Sequence, residues 1–242
     1  MEQDRRVYRG VSRRRGLVSF QVRHFETDLH VQAETVMDDL VSSWIIEART
    51  AIEAHADLHP GFFEAETPLR EPAVAHEVLL DMMAAARKAG TGPMAAVAGA
   101  IAEYVGKRCV AQGSREVIVE NGGDIFLHVT SPVTVALWAG KSRLSGRAGI
   151  TISPVATDFG VCTSSGTVGH SKSYGTADAV TVVAGSTALA DAVATMTGNM
   201  IHSRADIEKG IDFARAVQGV TGVVVIKGEH LGAWGDIELA AL

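Results

Sequence analysis

The segment Thr163–Gly175, TSSGTVGHSKSYG, gathers three glycines and seven hydroxyl residues (Thr163, Ser164, Ser165, Thr167, Ser171, Ser173 and Tyr174) around His170 and Lys172. That composition suits a phosphate: glycines let backbone N–H groups turn toward an anion, hydroxyls add donors, and the lysine adds charge. It suits a polar surface loop equally well. Downstream, Ser186 can cap a helix on which Asp191 and Thr195 stand four residues apart, hence on one face. A carboxylate and a hydroxyl, completed by water and phosphate oxygens, suit Mg2+, which seldom receives a full protein cage. The plainer alternative has Thr195 bonding back to the carbonyl of residue 191, with Asp191 in solvent. Glu120-Asn121-Gly122-Gly123-Asp124 contains Asn-Gly, a type I′ hairpin signal, and its flanking acids also suit a polar ligand approaching bare backbone.

Other motifs fail on context. Gly90-Thr91-Gly92-Pro93-Met94-Ala95 has dinucleotide-binding spacing but follows a helical pattern instead of a strand. Gly140-Lys141-Ser142 ends like a P-loop, yet Val135 stands where its first glycine belongs. Gly169 to Ser173 lacks the last glycine of a hydrolase nucleophile elbow, and His55 and His59 lack the glutamate of a zinc-protease helix.

The elements that must position these residues follow from periodicity. Residues 16–33 alternate as two strands broken at Glu26-Thr27-Asp28, and residues 35–54 carry helical spacing through Val36, Leu40, Trp44, Ile45 and Ile52. Residues 57–72, with Pro60, Gly61, Pro68 and Pro72, form a connector or lid. A second helix runs from Pro72 and Ala73 to Lys88 and stops at Gly90, and a third starts at Pro93 and reaches about Val110. The small residues between Gly92 and Gly106 suit close packing, or a backbone lying against a ligand. Short strands are expected at 117–120, 125–129, 133–138, 149–152, 160–163, 179–184, 222–226 and 236–239, with helices at 186–200 and 206–217. Strands and helices are partly segregated, so the expected class is α+β, a mixed or antiparallel sheet flanked by helices. With no repeat or linker composition, residues 1–242 read as one domain with a basic arm at 1–15.

The 242 residues carry a net charge of −6, which disfavours nucleic acid despite six arginines in the arm. No signal-peptide core or membrane-length apolar run appears, and Cys109 and Cys162 form neither a CxxC site nor a disulfide framework. A cytoplasmic, non-membrane protein is expected.

Taken in order, GPMAAVAG at 92–99, ENGGD at 120–124, TSSG with His170, and ADAVAT at 190–195 resemble the ApbE-like family of FAD:protein FMN transferases, and more closely a short branch of that superfamily. The resemblance runs from about Thr27 to the C-terminus and implies an ApbE-like domain. It implies Mg2+ held by Asp191 and Thr195, with the carbonyls of Ala194 and Ala95 as further ligands, and His170 as a base. FAD or another nucleotide would lie against Asn121, Gly122, Gly123 and Asp124 and against Thr163, Ser164, Ser165, Gly166 and Thr167, the amides of residues 165–167 holding phosphate oxygens. The implied reaction is at the pyrophosphate, FMN transfer to a protein acceptor or FAD hydrolysis. The chain departs from the transferases at Ala96, where they have lysine, and in lacking their Asp-Pro element after the histidine. An alternative is a non-catalytic binding or partner protein, kinship pointing to reductive sulfur incorporation in homocysteine synthesis. A third reading makes Cys162, beside the TSSG loop, a reactive thiol.

Overall fold

The computed structural model describes residues 14–70, 75–153, 158–167 and 173–242. The hairpin β1 (Val18–His24) and β2 (Thr27–Ala33) comes first, turning through Phe25 at φ 51. Three helices follow, α1 (Asp38–Leu58), α2 (Glu77–Ala89) and α3 (Val97–Ala111). Six strands come next: β3 (Val117–Asn121), β4 (Asp124–His128), β5 (Val133–Ala136), β6 (Ala148–Ile152), β7 (Asp158–Ser164) and β8 (Ala179–Ala184). The chain closes with α4 (Thr187–Met200), α5 (Ile207–Ala216), β9 (Val220–Lys227), β10 (His230–Gly235) and β11 (Glu238–Ala241).

The class is α+β, as the segregated pattern predicts. Eight strands form one sheet in the order β1-β2-β3-β4-β7-β8-β9-β10, and β11-β6-β5 form a second. Every pairing among the described strands is antiparallel. The large sheet is covered on both faces. Val117, Val119, Phe126, Cys162, Val180, Val182, Val223 and Val225 share a core with the helices. Their strand neighbours Ile118, Leu127, Val161, Val183, Val224 and Ile226 share a second core with Leu137, Ile150 and Ile152 of the small-sheet region. Alternation sends successive residues to opposite faces, so a central strand such as β8 is buried along its whole length and reads as one apolar run.

The third helix differs from its sequence pattern. Pro93–Ala96 is a 3-10 turn, and α3 starts only after Ala96, whose φ −119 and ψ 3 break the helical path. The described part of the second helix starts at Glu77, where His76 Nδ1 accepts the Val78 amide and caps it; the expected start at Pro72 and Ala73 falls outside the described residues. The sequence pattern also misses β10. Its segment HLGAWG has few β-branched residues, and Gly232 is required where Ile207 and Ile211 of α5 press on the strand.

Two helix ends hold each other. The first backbone N–H groups of a helix have no partner within it and need an external acceptor. Asp191, one turn into α4, places Oδ2 2.9 Å from the Gly99 amide at the start of α3. In return Glu103 of α3 places Oε2 2.9 Å from Ser186 Oγ, 2.7 Å from the Thr187 amide and 3.3 Å from the Ala188 amide at the start of α4. Both are negative charges at positive helix ends. The close crossing requires glycine: a Cβ on Gly99 would lie 2.5 Å from the Thr187 carbonyl oxygen, which is backbone and cannot give way. Gly99→Ala is therefore expected to lower unfolding free energy by about 1–3 kcal/mol through overpacking. Glu103→Ala is expected to cost about 3 kcal/mol by leaving buried amides without an acceptor, and urea denaturation measures both.

Candidate functional site

The ENGGD segment forms the expected hairpin with its turn one residue later than the Asn-Gly signal places it, Gly122-Gly123 being the central pair and Asn121 the last residue of β3, and it does more than reverse the chain. Asn121 pairs with Asp124 across a two-residue turn in which Gly122 (φ 70) and Gly123 (φ 111) both take left-handed backbone. Glu120 Oε1 accepts the Gly123 amide at 2.9 Å, which fixes the turn. Asn121 Nδ2 donates to the Ala98 carbonyl at 3.1 Å, which ties the turn to the start of α3.

Asp124 faces the helices beside Cys162, its register partner on β7. Burial raises its carboxyl well above the ordinary carboxylate range, and the nearby Asp191 charge raises it further; the adjacent Cys162 thiol and the Thr163 amide work against this. Asp191 is pushed up to about 7, by burial first, with the Gly99 and Ala98 amides pulling the other way. A carboxylate close enough to raise a second one's proton affinity marks a place where positive charge is favoured. Thr195 follows Asp191 by one turn on α4, and both residues are partly exposed. Among the described residues no bond ties the Thr195 hydroxyl back to its helix.

A divalent cation fits this oxygen donor set. Asp191 and Thr195 would hold it, with the carbonyl of Ala194 or of Ala95 in the adjacent 3-10 turn. Among the described residues no three His, Cys, Asp or Glu side chains converge as a preformed cage, so such an ion would depend on water and ligand oxygens for the rest of its shell. Ala96 is fully buried at the end of the 3-10 turn.

The glycine-rich segment divides between the two faces of the large sheet. Thr163 Oγ1 meets Thr181 Oγ1 at 2.8 Å on the face away from α4, so strand alternation keeps that hydroxyl apart from Asp191. Ser164 faces α4, packed beside Gly198. Ser165 Oγ donates to the Asp178 carbonyl at 2.7 Å, and Thr167 Oγ1 to Asp178 Oδ1 at 3.3 Å. The Gly166 amide donates to the Ala177 carbonyl and the Thr167 amide to Ser165 Oγ. These two of the three amides expected to face phosphate oxygens are bonded within the loop. His170 and Lys172 fall outside the described residues.

The sequence marks Tyr174 only as one hydroxyl of the glycine-rich segment and does not mark Asn199. Asn199 continues the Asp191–Thr195 spacing by one more turn, and that spacing is the signal that could have found it. Its Oδ1 accepts the Tyr174 amide at 2.9 Å, and the Tyr174 hydroxyl donates to Glu66. Glu66 belongs to the proline-containing connector, which Phe62 anchors in the core and which passes Gly92 so closely that a Cβ there would lie 1.6 Å from the Ala65 carbonyl oxygen.

The reactive-thiol reading of Cys162 does not survive. The thiol is buried, donates to the Thr187 carbonyl at 3.3 Å, and is pushed well above its ordinary value by burial and by the Asp124 and Asp191 charges. Burial pushes Cys109 up to about 12. Both cysteines should react with a thiol reagent only when the protein unfolds, as a comparison of labelling rates in buffer and in denaturant would show.

Asp191 also sets a pH dependence. Its folded-state proton affinity exceeds that of an unfolded carboxyl, so the stability it contributes is complete below about pH 4 and lost as pH rises to about 7. Glu116, held down to about 2 chiefly by Arg14, titrates below that window. Chelator-treated protein should melt at a lower temperature at pH 8 than at pH 5. Asp191→Asn should flatten the difference in scanning calorimetry.

This chain is 39% identical over 223 residues to a UPF0280 protein of Methanocella arvoryzae, covering 92% of this chain and 90% of that protein. It is 40% identical over 221 residues to a UPF0280 protein of Methanospirillum hungatei, covering 88% and 87%. Among solved structures, the flavin transferase ApbE from Vibrio cholerae matches with a TM-score of 0.60 at 14% identity, over 91% of this chain and 97% of that one. The apo flavinyl transferase ApbE of Pseudomonas stutzeri matches at 0.53 and 17% identity, over 90% and 94%. At those identities the likeness establishes a shared fold. The family described as AbpE bacteria matches residues 9–231, nearly the whole chain, and the chain belongs to that family.

Proposed function

We propose that the protein binds a flavin dinucleotide or related nucleotide together with Mg2+ along the α4 face and acts on the pyrophosphate, by FMN transfer to a protein or by hydrolysis of FAD. The observation that carries this reading is the placement of Asp191 on α4, one turn before Thr195, against the Gly99 amide and near the buried Asp124 carboxyl, in a chain with the fold of flavin transferases. A bound Mg2+ would neutralise charge on the pyrophosphate, the main requirement of phosphoryl transfer. Asp191 and Thr195 orient that charge, and the bond from the Gly99 amide fixes the Asp191 rotamer so that little reorganisation is needed. Asn121 and Glu120 hold the glycine turn rigid, leaving Gly122 exposed for close approach of a ligand. His170 is assigned the proton of the acceptor hydroxyl or of water.

A second reading rests on the cap itself. Because Asp191 already serves α3, its presence is explained in a nucleotide-binding or partner protein that performs no turnover. FAD titration with and without Mg2+, followed over time for FMN and AMP, separates the two. Metal-dependent binding with cleavage is expected, and Asp191→Asn, which still accepts the Gly99 amide, should remain folded and lose metal-dependent turnover. Binding without cleavage selects the carrier reading, and full Mg2+-dependent turnover in Asp191→Asn removes the metal assignment.

A further inference from the structure

Tyr174 is an exposed aromatic residue, 52% accessible, yet among the described residues it is held at two points or more. Its amide is fixed by Asn199 of α4 and its hydroxyl by Glu66 of the connector. The following residue, Gly175, is wedged so tightly that a Cβ there would lie 1.9 Å from the Gly198 carbonyl oxygen, so the backbone has little freedom as well. A large ring kept in solvent by bonds to two separate elements is not explained by core packing. Its place along α4 is informative: Asp191, Thr195 and Asn199 follow one another at intervals of four on one face. Asn199 lies ~6 Å beyond Thr195 along the helix axis. One sugar unit bridges a gap of that order between a phosphate and a heterocycle.

We propose that Tyr174 is the platform on which the planar heterocycle of the bound nucleotide stacks, one helical turn beyond the Asp191–Thr195 pair. This rests on the nucleotide reading above and adds to it which residue selects for an aromatic ring. Pre-ordering by Asn199 and Glu66 lowers the entropy cost of stacking, and the π face accepts either an isoalloxazine or an adenine.

The test titrates wild type, Tyr174→Phe, Tyr174→Leu and Tyr174→Ala with FMN and with ADP in the presence of Mg2+, by calorimetry and, for FMN, by flavin fluorescence. Loss of the aromatic face should weaken binding about tenfold, the scale of one base–aromatic stack, while Tyr174→Phe, which keeps the ring and the Asn199 bond and loses only the Glu66 bond, weakens it less than Tyr174→Leu does. A loss confined to FMN, with quenching in wild type and Tyr174→Phe but not in Tyr174→Leu, assigns the flavin ring; a loss confined to ADP assigns adenine. Wild-type affinity and quenching in both Tyr174→Leu and Tyr174→Ala overturn the platform and leave the nucleotide reading intact. Failure of the wild type to bind FMN, ADP or FAD overturns both.

Discussion

The arrangement on which the rest depends is the exchange of carboxylates between α3 and α4. Neither helix has a complete N-terminus of its own: Ala96 contributes no side-chain cap, and Ser186 alone supplies one bond to its helix. Asp191 completes α3 and Glu103 completes α4. Each charge lies against the partly positive end of the other helix, where anions are stabilised. The two helices must therefore approach within contact of bare backbone, and Gly99 is the residue that permits it. Lys107, 2.7 Å from the second oxygen of Glu103, offsets the remaining charge.

That clasp also decides what Asp191 can do. A carboxylate whose rotamer is set by an amide, and whose solvation is reduced by packing, is raised in energy as an anion. Asp124 arrives beside it because the glycine turn of ENGGD is tied by Asn121 to the same first turn of α3. The two acids, Asp124 buried and Asp191 partly exposed, thus stand close together as a consequence of helix capping and hairpin geometry. Stability and function meet in one residue, which explains why removing only its charge is more informative than truncating it.

The large sheet positions the remaining parts through its alternation. With helices on one face and the small sheet on the other, each residue of β7 belongs to one side alone. Ser164 looks toward α4 whereas Thr163 looks toward Thr181, although they are neighbours in a run of hydroxyls. The connector that carries Phe62 and Glu66 then reaches across Gly92 to Tyr174, joining the far end of the α4 face to the start of the 3-10 turn.

Much of this was legible in the residue order. Ser186 marks the start of α4, Asp191 and Thr195 share a face, and the ENGGD hairpin forms between its two strands, because each depends on local backbone preferences and short-range periodicity. The quoted motifs likewise carried the family, and the segregation of strand and helix patterns carried the α+β class. What sequence could not decide was direction across space. The split of Thr163 from Ser164, the internal use of the Gly166 and Thr167 amides, and the delayed start of α3 all follow from contacts between residues distant in the chain. So does the reciprocal capping, since a carboxylate on a helix pattern looks the same whether it faces water or the open end of another helix. β10 escaped for the same reason: its glycine weakens the strand signal, and only the side chains of α5 packed over it explain that glycine. Local chemistry was fixed by the order of residues, and the partner of each charged group by packing, because a buried charge is defined by what tertiary contacts place against it.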